Sequence, residues 1–232
     1  MPLDGAILGE GIYTPREAAR LLGGTAQEVL RWTRGSGPRD PLWKSHYQFL
    51  DDTSEISFRD LMDLRVVRAL RFAGISIQAV RYAIVLAKER FGIGHPLSTA
   101  HFKTDGVAIL MDAVEKDGEL VSLSRKHPGR KVFAKIVEQS VAGLDYEGAQ
   151  VARWWPTRSK HVVIDPKRSF GDPVLDQYGI STRVIYQDFL NYSDQKYLAK
   201  LYEIDLPLVK DAIAYEDGLN VNLGRSSGQG LM

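Results

Sequence analysis

The side chains best suited to contact a ligand cluster near the start of the chain, and they are of the kind that binds nucleic acid. Gln27, Arg31 and Arg34 follow one another at spacings of four and three residues, which places them on one face of a helix. Glutamine and arginine make hydrogen bonds to base edges in the major groove, and arginine also binds phosphates. The spacing predicts Gln27 and Arg31 as groove contacts and Arg34 as a phosphate contact.

The charge around these residues is locally basic, although the net charge of the 232 residues is only +1. A DNA-binding surface on this chain therefore has to be local. Residues 14–46 hold six lysine and arginine side chains against three acidic ones, which favours salt-dependent binding to phosphates. Arg16 and Lys44 are the further predicted phosphate contacts. Thr25 is another candidate, although a role as a helix cap is favoured for it.

Two short helices position these side chains. A capping box, in which a threonine and the glutamate three residues later cap each other's amides, occurs at residues 14–17 and again at residues 25–28. A Gly-Gly pair lies between the two boxes and ends the first helix. The pattern predicts helices over residues 15–22 and 26–34, and their tight connection is typical of a helix-turn-helix.

A short β-ribbon, or wing, is predicted after the second helix. The segment from residue 35 to residue 55 is rich in turn formers and carries aromatic side chains at Trp43, Tyr47 and Phe49. Two longer amphipathic helices are expected next, from about Phe58 to Gly74 and from Ser76 to Gly92.

This order of elements resembles a known family. Together with the sequence LRVVRALRFAGISIQAVRYAI at residues 64–84, it resembles the winged helix-turn-helix of MerR-type regulators. The resemblance covers roughly residues 11–90, and it implies a DNA-binding domain over residues 1–95. Beyond this point the chain departs from that family, because it has neither a recognisable long dimerising helix nor an effector cysteine.

A small α+β region is predicted over residues 96–160. Short apolar runs predict strands, the sequence Lys-Asp-Gly-Glu predicts a hairpin turn, and one longer segment has helical spacing. The strands are expected at residues 100–103, 107–112, 120–123, 151–155 and 162–164, the turn at 116–119 and the helix at 132–144. The region is basic between residues 125 and 168, and its block from Arg125 to Lys135 is interpreted as a solvated surface.

A three-helix, homeodomain-like unit is predicted over residues 161–218. Its helices are expected at residues 182–190, 194–202 and 206–216. A set of spaced residues runs through it: Asp165, Pro166, Phe170, Gly171, Pro173, Gly179, Thr182, Arg183 and Tyr215. This pattern resembles the C-terminal domain of unknown function of VapB-type antitoxins. In that family the partner is a PIN-like ribonuclease toxin, so the resemblance implies toxin neutralisation and repression of the shared operon.

The charge of the last helix indicates that this unit binds protein rather than DNA. Residues 205–217 contain four acidic side chains against Lys210 alone, and DNA phosphates would repel them. Arg183, Tyr202 and Lys210 are the predicted partner-binding residues. Arg225 joins them from a tail over residues 219–232, which is expected to be flexible. Recognition of two operator half-sites implies a homodimer.

Composition argues against several other classes of protein. The chain has no cysteine, which excludes disulfides, thiol nucleophiles and cysteine-based zinc sites and fits a reducing cytoplasm. No stretch is apolar enough to span a membrane, and the first residues lack the basic cluster of a signal peptide. The five histidines are scattered, and no nucleotide-binding or hydrolase motif occurs, so no enzyme, metal or cofactor is expected.

Two alternatives stay open beside the antitoxin hypothesis. The chain could be a stand-alone MerR-like transcription regulator whose central α+β region binds a ligand, or a scaffold protein whose helical units only mediate contacts. In each case the predicted fold class is α+β.

Overall fold

A computed structural model describes residues 9–47, 53–118, 130–156 and 159–228, with side chains as far as residue 220. The chain divides into two compact units. The terminal unit is drawn from residues 1–30, 47–58 and 152–232, and the central unit is drawn from residues 31–46 and 59–151. Each unit is therefore built from separate stretches of sequence.

Nine α-helices and four strands are assigned among the described residues. In chain order they are α1 (Pro15–Leu22), α2 (Ala26–Arg34), α3 (Phe58–Phe72), α4 (Ile77–Phe91), α5 (Ala100–Asp117), α6 (Arg130–Ser140), β1 (Leu144–Glu147), β2 (Gln150–Trp154), β3 (Val162–Ile164), β4 (Pro173–Leu175), α7 (Thr182–Tyr192), α8 (Gln195–Leu201) and α9 (Leu206–Gly228). The strands form a sheet in the order β1-β2-β3-β4. The division into units passes through α2 and β2. The fold is mixed, predominantly helical with a small sheet.

The first two helices are confirmed with the predicted bounds. At the start of α1 the Thr14 hydroxyl accepts a hydrogen bond from the Glu17 amide, and the Glu17 carboxylate accepts one from the Thr14 amide. The same reciprocal bonds join Thr25 and Glu28 at the start of α2. Gly23 ends α1 in the left-handed conformation, with φ of 75°. These boundaries depend on local chemistry, which is why the sequence predicts them well.

The terminal unit packs its C-terminal helices against α1, β3 and β4. β3 pairs antiparallel with both neighbours, placing Ile164 opposite Trp154 of β2 and Pro173 of β4. All three residues of β3 are buried. α9 packs against α7, α8, β3 and α1. The strands predicted at residues 151–155 and 162–164 are confirmed as β2 and β3.

The central unit is a helical core in which α4 packs against α5, and α5 against α6. α3 is buried along most of its length, since Leu61, Met62, Leu64 and Val66 are all fully inaccessible to solvent. Two aspartates of α3 are buried. Asp63 accepts a hydrogen bond from the Ser98 amide, and Asp60 accepts one from Trp43 in the preceding loop. The core of this unit therefore includes carboxylates with partners.

The strands predicted at residues 100–103 and 107–112 are wrong, because both runs belong to α5. Thr99 caps this helix by accepting the Phe102 amide at 3.1 Å. The buried side chains recur at helical intervals: Phe102, Gly106, Ile109, Leu110, Ala113 and Val114. The helical period becomes visible only when the two short apolar runs are considered as one segment. Gly118 is the left-handed cap of α5 and not part of a hairpin turn, while the strand predicted at 120–123 lies outside the described residues.

The predicted wing is not a β-ribbon in the described part of the loop. Within residues 35–47 the strand-like pairing is one isolated bridge between Ser36 and Arg39. Trp43 and Tyr47, the aromatic residues that indicated a ribbon, are buried. Phe49 lies outside the described residues.

A buried carboxylate explains the conformation of this loop. Asp60 accepts hydrogen bonds from Trp43 Nε1 at 2.6 Å, the Ser45 hydroxyl at 3.1 Å and the His46 amide at 3.1 Å. A buried carboxylate needs such donors, so the loop folds onto α3 and does not pair with itself. In the sequence Asp60 resembles an ordinary first-turn acid of a helix, which hides this role.

Two predicted boundaries also differ from the structure. A flexible tail is predicted from residue 219, but α9 continues through Gly228. Leu219 is buried and extends the buried face formed by Ala212 and Tyr215, so the apolar face favours a longer helix. The predicted boundary at residue 95 differs as well, because α1 and residues 152–232 belong to one compact unit.

Candidate nucleic-acid and partner interfaces

α2 presents the two predicted base contacts to solvent. Gln27 and Arg31 are exposed and lie one helical turn apart, while Val29 is buried. Within the described part of the chain, neither Gln27 nor Arg31 forms a hydrogen bond or ion pair through its side chain. The helix therefore offers an amide and a guanidinium side by side, and both groups can hydrogen-bond base edges.

The other predicted DNA contacts have different surroundings. Arg16 and Lys44 are exposed, and Arg34 is half-buried. The Thr25 hydroxyl accepts the Glu28 amide at 3.2 Å, so this threonine is a helix cap, as favoured from the sequence. Arg16 and Thr25 belong to the terminal unit, whereas Arg34 and Lys44 belong to the central unit. Among the predicted phosphate contacts Arg16, Arg34 and Lys44, the exposed Arg16 and Lys44 are the more accessible cations.

Buried polar groups tie α1 to the C-terminal helices. The Arg20 guanidinium donates to the Glu216 carboxylate on α9, and the Thr182 hydroxyl at the start of α7 donates to the same carboxylate. Glu216 is completely buried. Because removing a carboxylate from water is costly unless it is paired, these bonds hold three helices in one arrangement. Sequence reasoning treats Glu216 only as one acid of a charged helix and misses this role.

Tyr13 makes a second link within the terminal unit. Its hydroxyl donates to the Gly171 carbonyl at 2.9 Å, and its backbone pairs with Ile56. Burial raises the pKa of the Tyr13 phenol well above its usual range. Gly171 has φ of 89°, and a Cβ built there would lie 2.1 Å from the Tyr13 oxygen. This glycine of the antitoxin-like pattern therefore has a structural role.

Arg183, a predicted partner-binding residue, is paired within its own unit. Its guanidinium donates to Glu17 of α1 at 3.4 Å and to Asp172 at 3.0 Å. Burial opposes the ionisation of Glu17, but hydrogen bonds from Thr14 and the charge of Arg183 outweigh it and lower the Glu17 pKa. Burial raises the pKa of Asp172, and Arg183 offsets only part of that effect. The structure thus gives Arg183 an internal role.

A cleft of about 400 Å³ lies between α1, α7 and α9. Its lining includes Arg16, Arg20, Arg183, Gln187 and Leu190. Arg20 and Arg183 are neutralised by the carboxylates described above. Arg16 has no ion-pair partner in the described ranges, so an anionic group entering this cleft would meet an uncompensated cation.

The remaining predicted partner contacts lie on or near α8 and α9. Tyr202 is half-buried, and its hydroxyl donates to Asp188 at 2.5 Å. Burial and the Asp188 carboxylate raise the Tyr202 pKa to about 12. Lys210 is exposed. Arg225 lies within α9, but its side chain is outside the described part.

A surface that sequence reasoning does not single out lies on α7 and α8. The rings of Tyr192 and Tyr197 are in contact, with centroids 5.1 Å apart, and Leu201 lies one turn beyond Tyr197. Lys196 and Lys200 border them, and all five side chains are exposed. We call these five residues the tyrosine–lysine surface. Its signal in the sequence is the repeated spacing of four within a short helix.

Neither metal binding nor membrane insertion is indicated by the described residues. No group of three or more His, Asp or Glu side chains in these ranges is placed to hold a metal ion. None of the helices in the same ranges combines the length and apolar character needed to cross a lipid bilayer.

Comparison with known proteins shows similarity to a curated relative and to a solved structure. No protein-family model matches the chain. Over 188 residues the chain is 26% identical to the protein named "Putative antitoxin VapB45" of Mycobacterium tuberculosis (strain ATCC 25618 / H37Rv), and the match covers 73% of this chain and 78% of that protein.

The similarity of structure extends further than that of sequence. The crystal structure of Rv2018 from Mycobacterium tuberculosis matches with a TM-score of 0.67 at 20% sequence identity. The match covers 87% of this chain and 96% of that chain. The mixed helical fold with a small sheet is therefore one that has been observed in a crystal.

Proposed function

We propose that this chain is the antitoxin of a type II toxin–antitoxin system, which neutralises a PIN-like ribonuclease toxin by binding it. The observation that carries the proposal is the 26% identity to a protein named as an antitoxin, over 73% of this chain and 78% of that protein. A match of that extent includes parts of both units, so it is not a likeness of one common motif.

The proposed antitoxin also represses its own operon by binding operator DNA. The support is the face of α2, where Gln27 and Arg31 are exposed and have no partner among the described side chains. Arg16, Arg34 and Lys44 are the proposed phosphate contacts. A symmetric operator would bind a homodimer, because two half-sites require two copies of the recognition helix.

No catalytic step belongs to this function, and no cofactor is proposed. Toxin neutralisation requires a stable protein–protein contact, and repression requires a DNA contact. The ribonuclease toxin and the operator DNA would both be found in the cytoplasm, which is the compartment that we propose for this chain.

The alternative of a stand-alone regulator is not favoured. It places a ligand pocket in a central α+β region, but residues 100–117 of that region form the continuous helix α5. The relative that matches the chain is named as an antitoxin and not as an effector-sensing regulator.

A growth assay tests the proposed function. The reading frame beside this gene that encodes a small nuclease is induced in a bacterial host, alone and with the full chain. We expect growth arrest in the first case and growth in the second, with co-elution of both proteins in size-exclusion chromatography. Continued arrest in the presence of the folded chain would refute the antitoxin role.

A separate assay tests repression. DNA from upstream of the gene is titrated with the purified chain, and an unrelated duplex of equal length serves as the control. We expect tighter binding to the upstream DNA and a steep loss of affinity with added salt. Equal affinity for both duplexes would refute operator recognition without affecting the antitoxin role.

A further inference from the structure

We infer that the tyrosine–lysine surface docks an acidic protein surface, and that its occupant is the nuclease toxin. This inference rests on the proposed antitoxin function and names the part of the chain that makes the contact. Of the five residues, Tyr192, Tyr197 and Leu201 form the apolar centre, and Lys196 and Lys200 form a charged border.

The three large side chains of the apolar centre are each about half exposed to solvent. Tyr192 is 55% exposed, Tyr197 43% and Leu201 49%. Within α8 the buried residue is Leu198, so most of this short helix faces away from the core. Contiguous exposed aromatic and aliphatic side chains mark interaction sites, and tyrosine is enriched among the residues that dominate binding energy.

The charged border lacks compensation within the surface. Neither Lys196 nor Lys200 forms an ion pair with another described residue. The neighbouring Asp194 carboxylate accepts the amides of Lys196 and Tyr197 and so caps α8. Glu203 lies beyond the end of the helix, in the turn before α9. An apolar centre with two ammonium groups at its border complements a partner that presents carboxylates around an apolar patch.

A second copy of this chain fits the surface poorly. A two-fold contact centred here places the same patch on both sides of the interface. Lys196 and Lys200 of both copies would then lie within one interface, and four like charges in one interface are unfavourable. The charge pattern therefore favours a different protein.

Nucleic acid also fits the surface poorly. The planes of the Tyr192 and Tyr197 rings are inclined by 55° and the rings contact each other, so they do not form a platform for successive bases. Leu201 supplies apolar area that phosphates and sugars do not use.

The test measures the affinity of the full chain for the nuclease whose toxicity it suppresses in the growth assay. That nuclease is used in a form inactivated at a metal-binding carboxylate. The variants are Lys196→Glu combined with Lys200→Glu, and Tyr197→Ser alone.

Two matched controls test the specificity of these changes. Lys131→Glu combined with Lys135→Glu reverses two exposed lysines at the same spacing on α6, and Tyr178→Ser removes another exposed tyrosine.

We expect each surface variant to bind the nuclease about tenfold more weakly or worse, and each control to bind within about twofold of wild type. Thermal unfolding and binding to upstream DNA should be unchanged, because all substituted side chains are exposed. Added salt should weaken the wild-type complex more than the complex of the lysine variant.

The outcomes separate this inference from the proposed function. If the surface variants bind the nuclease as tightly as wild type does, the docking surface is refuted and the antitoxin role stands. If wild type itself suppresses and binds no nuclease, both are refuted. If the variants lose retention of DNA, or lose self-association, while their affinity for the nuclease is unchanged, the surface belongs to that other partner and the inference is refuted.

Discussion

Two pairs of consecutive helices, each joined by a short turn, expose different chemistry. In the α1–α2 pair, the second helix exposes Gln27 and Arg31. In the α8–α9 pair, the first helix exposes Lys200 and Leu201, and the second, which is 23 residues long, exposes Asp217. Two consecutive helices joined by a turn do not by themselves determine what a pair binds.

The difference between the pairs lies in the side chains that the core leaves exposed. α2 buries Val29 and keeps hydrogen-bond donors exposed, which suits an anionic partner with base edges. α9 buries its apolar face and Glu216, and its described charged side chains that reach solvent are Lys210, Asp211 and Asp217. We propose DNA recognition for the first pair and protein contact for the second.

The two pairs are not independent, because α1 and α9 share a buried ion pair. We expect the largest effect from Glu216→Ala, which leaves Arg20 and Thr182 without their common acceptor. Removal of one partner of a buried pair costs about 3–5 kcal/mol in the free energy of unfolding. Urea denaturation of the variant and of Glu138→Ala, an exposed control on α6, measures this cost. A loss no larger than that of the control would show that the pair does not anchor α1.

The next largest effect concerns the α2 face. Arg31→Ala should weaken binding to upstream DNA by about 1–3 kcal/mol, because a lost base contact costs that much. Its circular dichroism spectrum should match wild type, since Arg31 is exposed. Arg130→Ala, an exposed arginine of α6, is the matched control and should leave the affinity unchanged. If Arg31→Ala binds as tightly as wild type at moderate salt, the assignment of α2 as the recognition helix is wrong.

A smaller effect is expected at the turn of the second pair. Tyr202→Phe removes the hydrogen bond to Asp188 and should cost about 1 kcal/mol of stability. Affinity for the nuclease should be unchanged, because the hydroxyl is already engaged within the chain. A variant of full stability that loses nuclease affinity would instead make Tyr202 a direct contact, as the sequence predicts.

The smallest effect concerns the capping box of α1. Glu17→Gln keeps a side chain that can cap the helix but removes the charge that pairs with Arg183. We expect this variant to lose about 0.5 kcal/mol of stability relative to wild type at neutral pH, since both members of the pair are partly exposed.

The pH dependence of this difference follows from the lowered pKa of Glu17. A carboxyl whose pKa is lowered by folding stabilises the fold at pH values above its ordinary pKa. That contribution is lost as the pH falls through the lowered pKa. Thermal unfolding of wild type and Glu17→Gln should therefore converge as the pH falls below the ordinary pKa range of a carboxyl. A difference that stays constant on acidification from neutral pH would exclude the charge of Glu17 as its source.

Local signals account for what could be predicted. The bounds of α1 and α2 follow from capping boxes and a Gly-Gly turn, and Ser76 caps α4 by accepting the Ala79 amide, as expected. The three C-terminal helices also begin where the sequence predicts, to within one residue. Each of these boundaries is determined by residues that are neighbours in the sequence.

The errors arise where distant residues compete with local preference. The sequence does not predict α5, because its apolar residues occur in short runs and their common helical face becomes evident only in the packing against α4 and α6. The loop after α2 resembles a ribbon because of its aromatic residues, yet Trp43 is buried and donates a hydrogen bond to Asp60. The predicted tail begins at residue 219, but Leu219 is buried and α9 continues past it.

Caps, glycines and charges act over a few residues, so the helix starts and stops, the locally basic first helix pair and the acidic last helix are readable from the sequence. Which of those charges are available for binding depends on tertiary contacts. Arg31 is exposed, whereas Arg183 is paired with Glu17 and Asp172, and Glu216 is buried against Arg20. Burial and pairing depend on contacts between residues far apart in the chain, and no local pattern records them.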